Sequence, residues 1–502
     1  MRSLPPSITR DRALSAVLVV GYGIVQAIAL AVAAFATRDA FAALHAREHL
    51  ALNTILELGL AGATAAICLF LSRRQGESLG QSYAIALRRV LYKQIASLPK
   101  ARHDQRRTGA LSLRFVGDLS AARLWFGRGL PDFLTAMIVL PGAVAIIVSL
   151  DTSLAFAGLL PVGLSMVFMT LLAWHLEQRH QRLRKRRAGI AISMIERIAI
   201  APELDLMGRT GKELQSLDEQ GAALRVDAVA RRGRTAGLQA ILQAGVAVAG
   251  LAILWVASHG AASPATVAAS LSVLALVAMP LQDLAAVWDR YCAWSVARQK
   301  AQKLLEEPSL TRNAWRGEKP VTVSVSGTTH LNADAGTVTR LTGPNAAQLA
   351  HVIAGLNHDP TLHIQFSEGH TPHIAFIGDT HIGLQGSLRR SATLSTRKRP
   401  DDETISQILS AFGLIDLLDR PRGLDQRIAK NGKGLTASQT LRLDLARAVL
   451  GQADLIVISS LRWAAEPDQP ILLEILQDMS PATIILAEGV NHSSSLENSR
   501  VS

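Results

Sequence analysis

Charge is scarce in this chain of 502 residues: 18% of positions are Asp, Glu, Lys or Arg, against 49% that are hydrophobic. With a mean hydropathy of +0.23, that balance excludes an ordinary soluble protein of two or three domains, in which about a quarter of residues are charged. Cysteine is scarcer still. Only Cys68, inside an apolar run, and Cys292 occur, so no disulfide framework is implied. The histidines at 351, 358, 363, 370, 373 and 381 lack a tight ligand spacing on one element. They read as surface side chains, and no metal is expected.

What the chain has instead is long uncharged runs. No charged residue falls between Arg12 and Arg38, and Ala13–Thr37 exceeds the roughly 20 residues that cross a bilayer. It is too long for the core of a signal peptide. Further spans are predicted over residues 50–72, 130–150, 152–174, 235–258 and 262–281, giving six helices within residues 1–306. The basic residues gather in alternate connections, Arg73–Gly129 and His175–Arg234, the second carrying the run Arg182-Leu-Arg-Lys-Arg-Arg187. By the positive-inside rule both termini and both long loops face the cytoplasm. The net charge of +12 is thereby absorbed at a membrane surface, so the lipid bilayer is an expected partner and nucleic acid is not.

Few polar groups interrupt the spans. Gln26 lies mid-span, Gln239 and Gln243 share a helix face at i and i+4, and Glu57 sits inside the second helix. An intramembrane acid is by default a candidate facing a cavity, although Glu57 is near enough to the span's start to reach the interface. The glutamines suit inter-helix hydrogen bonds as well as ligand contacts. All four are carried forward as candidate substrate-cavity residues. A polar linker over 307–318, with Pro308 and Pro320 close by, separates the spans from a domain at 319–502.

That domain carries the more specific signals. Leu341-Thr-Gly-Pro-Asn-Ala-Ala-Gln-Leu-Ala-His-Val-Ile-Ala-Gly-Leu356 resembles the phosphate loop and following helix of ATP-binding cassette (ABC) proteins, G-P-x-G-x-G-K-S/T. Such a loop works because glycines permit a nest of N–H groups, a lysine adds charge, and a hydroxyl binds magnesium. In the motif spanning Gly343, Pro344, Asn345, Ala346, Ala347, Gln348, Leu349 and Ala350, the later glycines fall on Ala346 and Gln348. The lysine falls on Leu349 and the hydroxyl on Ala350. Each lost hydrogen bond to a charged group costs roughly 1.5–3 kcal/mol. This loop should bind Mg-ATP very weakly.

Gly434 to Leu450 resembles the family's L-S-G-G-Q signature and its helix, with Leu435, Thr436, Ala437, Ser438 and Gln439 in the signature slot. An apolar strand, Leu455–Ile458, then leads to Ser459 and Ser460, where the family has the aspartate that organises magnesium and the glutamate that activates water. Neither serine serves at neutral pH, and a lost general base costs about 10²–10⁴-fold. Aligning back from Gln385-Gly386-Ser387-Leu388 puts Asp379 at the Q-loop glutamine, and Gly489 takes the switch histidine's position. Lys433 precedes the signature and reads as a solvated loop lysine. Alteration at all these elements together implies an ATPase by family that is inactive alone.

The spacing of the spans is similar to that of exporter-type ABC membrane domains, with short outer turns near Asp151 and 259–262 and long inner connections. The first inner loop, Leu98-Pro99 through Arg107-Thr108-Gly109-Ala110-Leu111, resembles the family's coupling loop. The resemblance implies a six-helix all-α exporter-type membrane domain joined to an α/β P-loop-type nucleotide-binding domain. It further implies a multi-pass protein of a bacterial inner membrane, pairing with a competent half-transporter to move an unidentified small molecule. ATP and Mg²⁺ would then bind at the partner's site, completed by this chain's signature. Exporters of this outline include a heterodimer that exports cysteine and glutathione during cytochrome assembly. A membrane-embedded scaffold or regulator that keeps the fold without transport is the alternative.

Overall fold

A computed structural model describes residues 3–104, 114–175, 177–260, 262–310, 320–367 and 372–488. They form two compact units, one of residues 1–96 and 105–308 and one of residues 97–104 and 309–502. Arg107 to Leu111, His370, Gly489 and most of the linker lie outside the described residues.

The first unit is helical throughout. Its helices are α1 (Arg10–His45), α2 (Leu52–Ala96), α4 (Leu119–Leu150), α5 (Thr152–His175), α6 (Glu177–Ala199), α7 (Ala201–Leu206), α8 (Thr210–His259) and α9 (Pro264–Leu305); α3 (Lys100–Asp104) belongs to the other unit. Six of them are long and apolar enough to cross a membrane, as the uncharged runs predict. Three are much longer than their apolar stretches. Hydropathy marks only the lipid-facing length, whereas α2 beyond Ser72, α8 before Thr235 and α9 beyond Leu281 continue through proline-free sequence rich in helix-forming residues.

Their ends are set locally. Asp151 alone separates α4 from α5, and its carboxylate accepts the N–H groups of Ser153 and Leu154 at 2.8 and 3.1 Å. Ser263 caps α9 by accepting the Thr266 N–H at 3.2 Å, with Pro264 at the first helical position. Helix α1 packs on α2, α4 and α9, while α5 pairs with α8. One crossing is unusually close. A π-helical turn, Trp125–Gly129, interrupts α4, and a Cβ at Gly76 of α2 would lie 2.5 Å from the Gly127 carbonyl oxygen. At Gly80 it would lie 2.6 Å from that of Arg123. Only glycine admits that approach.

The second unit is α/β. Strands β3 (Val338–Leu341), β5 (Ile374–Ile377), β8 (Leu455–Ile458) and β9 (Thr483–Ala487) form a parallel sheet in the order β3-β9-β8-β5. A second, antiparallel sheet runs β2-β1-β4 (Leu331–Ala333, Val323–Gly327, Leu362–Phe366), and a short pair joins β6 (Gly386–Ser387) to β7 (Arg427–Ile428). Strand β8 is apolar at every position because both faces are covered. Ile456 and Ile458 enter one core with α11 (Leu388–Ala392), α12 (Asp402–Ala411), α13 (Ile415–Leu418), α14 (Ala437–Leu450) and α16 (Gln469–Met479). Leu455 and Val457 enter the other, with β1 and α10 (Ala346–Ile353). Helix α3 is tied to this unit by its backbone. Its Lys100 N–H donates to the Leu356 carbonyl at 2.8 Å, and the Ala101 N–H to Asn357 Oδ1 at 3.1 Å.

Candidate functional site

In open α/β sheets, ligands bind beyond the carboxyl ends of the strands. The phosphate-loop segment begins there, after β3. Gly343 takes φ +110°, which a side chain would resist, and the chain then turns directly into α10. The Ala346 N–H bonds the Gly343 carbonyl at 3.2 Å and the Leu349 N–H bonds Asn345 at 2.9 Å. The helix therefore starts before the lysine position. Leu349 and Ala350, at 8% and 0% exposure, lie in the core with Val323, Leu341 and Ile485. Pro344, Asn345, Ala347 and Gln348 remain exposed. An anion here would meet the positive end of the helix dipole and no Lys or Arg side chain from the segment Thr342–Ala350.

The neighbouring strand ends are tied to one another. The Ser459 N–H bonds the Ile377 carbonyl at 2.9 Å, extending the pairing of β8 with β5. Ser460 Oγ accepts the Arg462 N–H at 3.1 Å and caps α15 (Leu461–Ala464). Asp379 Oδ1 accepts the Leu461 N–H at 2.6 Å. Asp379 and Ser460 thus both accept backbone N–H groups at the start of α15, and Ser459 is tied to β5 through its own N–H.

The signature segment is built differently. Thr436 caps α14 in a reciprocal box: its Oγ1 accepts the Gln439 N–H at 3.0 Å, and Gln439 Oε1 accepts the Thr436 N–H at 3.1 Å. The threonine hydroxyl hydrogen and the glutamine NH₂ keep their donor capacity. Ser438 Oγ accepts from Arg442 Nε at 3.0 Å, and Arg442 continues to Glu466 and Asp468 at 2.8 and 2.5 Å. Leu435 is half-buried and Ala437 exposed.

Behind this end lies a cluster that the motifs did not reveal. Asp444, on α14, accepts from His381 Nδ1 at 2.7 Å, Arg447 at 3.2 Å and Arg462 at 2.9 Å. Arg462 also donates to the Gly378 carbonyl at 2.5 Å and to Thr440 at 3.0 Å. Burial pulls the Arg447 guanidinium below its ordinary value, against the Asp444 carboxylate that favours its charge. The expectation that His381 sits on the surface is wrong, since it is 4% exposed. Glycines make room for it: a Cβ at Gly383 would lie 2.8 Å from its Nε2, and one at Gly432 would lie 3.0 Å from its Cδ2.

In the membrane unit, a cavity of about 560 Å³ opens among α1, α2, α4 and α9. Gln26 lines it, as its mid-span position suggests; Glu57, Gln239 and Gln243 are not among its lining residues. Glu57 and Gln243 are exposed and Gln239 is half-buried. The charged lining is Arg73, Glu77, Arg123, Arg128, Asp132, Asp283 and Arg290. All but Asp132 lie outside the predicted spans, where a search for polar residues inside spans does not look; Asp132 falls in the first turn of the 130–150 span and was missed there.

Six long apolar helices and a parallel-sheet α/β unit define a multi-pass membrane protein of transporter architecture. Residues 15–281 match the family model of the ABC transporter transmembrane region, more than half of the chain. The chain belongs to the ABC transporter family. It is similar to an uncharacterised ABC transporter ATP-binding protein, y4gM, of Sinorhizobium fredii, with 24% identity over 149 residues, 27% of this chain and 25% of that protein. It is also similar to the glutathione/L-cysteine transport system ATP-binding/permease protein CydD of Haemophilus influenzae. That identity is 33% over 86 residues, 17% of this chain and 14% of the relative. The matched stretches thus span a quarter or less of these relatives. Among solved structures, a bacterial Atm1-family ABC exporter with ATP bound superposes with a TM-score of 0.78 at 15% identity, covering 98% of this chain and 92% of that one. The fold is that of an ABC exporter.

Proposed function

We propose that this chain is the catalytically silent half of an ATP-driven exporter, pairing with a competent half-transporter. The observation that carries the reading is the contrast between two helix starts. At α10 the lysine and hydroxyl positions are Leu349 and Ala350, buried in the core, while at α14 the capping box leaves the Thr436 hydroxyl and Gln439 amide as donors. A helix N-terminus with such donors suits an anionic phosphate. In a family dimer each ATP lies between one chain's phosphate loop and the other chain's signature. The partner would bring the intact loop, the acidic pair and Mg²⁺; this chain would bring Thr436 and Gln439. Leu435 would anchor the turn, and Ala437 and Ser438 would sit in place of the family's glycines. Asp379, Ser459, Ser460 and Gly489 would take no part in catalysis.

The charge pattern supports both termini in the cytoplasm, and the half-transporter organisation supports an inner-membrane location. Glutathione and cysteine, for which the Haemophilus influenzae relative is named, are the first cargoes to try. The test is Mg-ATP binding and turnover by the purified chain, alone and mixed with the half-transporter encoded beside it. No binding alone with turnover in the mixture is expected; tight binding alone overturns the reading. The second reading, a scaffold without transport, is favoured by the side chains of Ala437 and Ser438 at the signature. It predicts that the mixture turns over no faster than the partner by itself.

A further inference from the structure

The cavity in the membrane unit has two unlike ends. Leu30, Leu69, Ala136 and Met279 line one part, and the charged groups line the other. Two of the carboxylates there are already matched: Glu77 pairs with Arg123 at 3.0 Å and Asp132 with Arg290 at 2.6 Å. Arg73 and Arg128 make no ion pair or hydrogen bond among the described residues, although Arg73 lies near enough to act on Asp132, and Asp283 is the lining carboxylate outside those two pairs. The surplus is therefore positive. The wall that carries Arg123, Arg128 and Asp132 is α4 at its π-helical turn, wedged against Gly76 and Gly80. Such turns recur at functional sites, and this one is fixed by backbone packing. A volume of about 560 Å³ lies within the usual range for a small-molecule pocket, roughly 300–1,000 Å³.

We propose that this cavity binds an amphipathic anion, with a phosphate or carboxylate head between Arg73 and Arg128 and an apolar body along Leu30, Leu69 and Met279. Arginine suits that head because its planar fork meets two oxygens at once. Two sources share the chemistry: an anionic lipid entering from the bilayer and a soluble organic anion. Binding here needs neither nucleotide nor partner, so the proposal stands or falls apart from the half-transporter reading.

The full-length chain in neutral phosphatidylcholine nanodiscs would be titrated with decyl phosphate, with empty nanodiscs subtracted. Arg73→Gln with Arg128→Gln should weaken binding at least tenfold. Glu77→Gln, which releases Arg123 from its carboxylate, should tighten it severalfold, a gain that loss of fold cannot mimic. Decyltrimethylammonium should not bind measurably. Equal affinity in wild type and double variant, or equal affinity for the two decyl probes, overturns the proposal. Extraction of the purified protein separates the sources. An acidic phospholipid retained by wild type and lost from the double variant identifies the lipid, whereas decyl phosphate binding with no retained lipid identifies the soluble anion.

Discussion

Helices α10 and α14 begin at the two places where a family member would meet nucleotide, and they handle their first turns in opposite ways. At α10, Asn345 stands before the helix without a side-chain cap, and Leu349 and Ala350 turn into the core. At α14, Thr436 and Gln439 satisfy each other's backbone N–H groups and leave donors facing outward. Both ends carry a helix dipole. The difference lies in a few side chains, and it teaches that the same backbone start serves as a core anchor or as an anion-facing surface according to what fills its first turn.

The comparison depends on α14 being held firmly, and Asp444 holds it. Asp444→Ala leaves the buried guanidiniums of Arg447 and Arg462 without their carboxylate. Breaking one side of a buried ionic cluster costs about 3–5 kcal/mol, so thermal melting of the detergent-solubilised chain should show the largest loss of any change considered. A melting point close to wild type would mean that the cluster is not a support. Next in size is Leu349→Lys, which supplies a lysine where the proposed reading puts the family's. Because the side chain is buried, its loss should cost roughly 2–5 kcal/mol, the range for a buried leucine, and no ATP binding should appear. A gain of binding would show that α10 can reopen into a phosphate loop and would dissolve the contrast.

Thr436→Ala with Gln439→Ala probes the other helix. Loss of the cap should lower stability by about 1 kcal/mol. With the proposed partner, ATP turnover of the mixture should fall more than tenfold, because both donors leave together. A drop in stability with unchanged turnover would confine the pair to a capping role.

Much of this architecture is legible in the sequence, for physical reasons. The six spans follow from uncharged length, and β8 from four apolar residues in a row. The ordered ABC-like segments give the fold of the C-terminal unit. The extent of α2, α8 and α9 was not legible, because hydropathy is silent once a helix leaves lipid. The Asp444 cluster was hidden for another reason: His381, Asp444 and Arg462 are far apart in the chain and match no motif. A signal for it existed, in an acid on the buried face of α14, where Leu441, Leu445 and Ala448 mark the core side. The cavity's arginines escaped because charge beyond a span was counted toward topology alone.

The smallest expected effect concerns pH and sets α12 beside α14 as a capped helix whose cap can titrate. Asp401 caps α12, and the Thr404 side chain together with the Thr404 N–H, 3.0 Å from its Oδ1, holds its carboxyl below the usual carboxylate range. Asp402 is held low by Arg389, at 2.9 and 2.7 Å. A carboxyl that is lowered in the folded state adds stability above its unfolded pKa and loses it as pH falls through the folded value. The melting point should therefore be flat in this respect from neutrality to about pH 4, the ordinary carboxylate range, and fall below it. Asp401→Asn keeps a competent cap but removes one titrating group, so the acid-side fall should become shallower with little change at neutral pH. Thr436, which cannot titrate, keeps α14 capped throughout, so the amides protected by that helix should exchange no faster in acid than their intrinsic rates dictate. An equal acid-side loosening of both helices would show that the fall comes from the unit as a whole and not from the α12 cap.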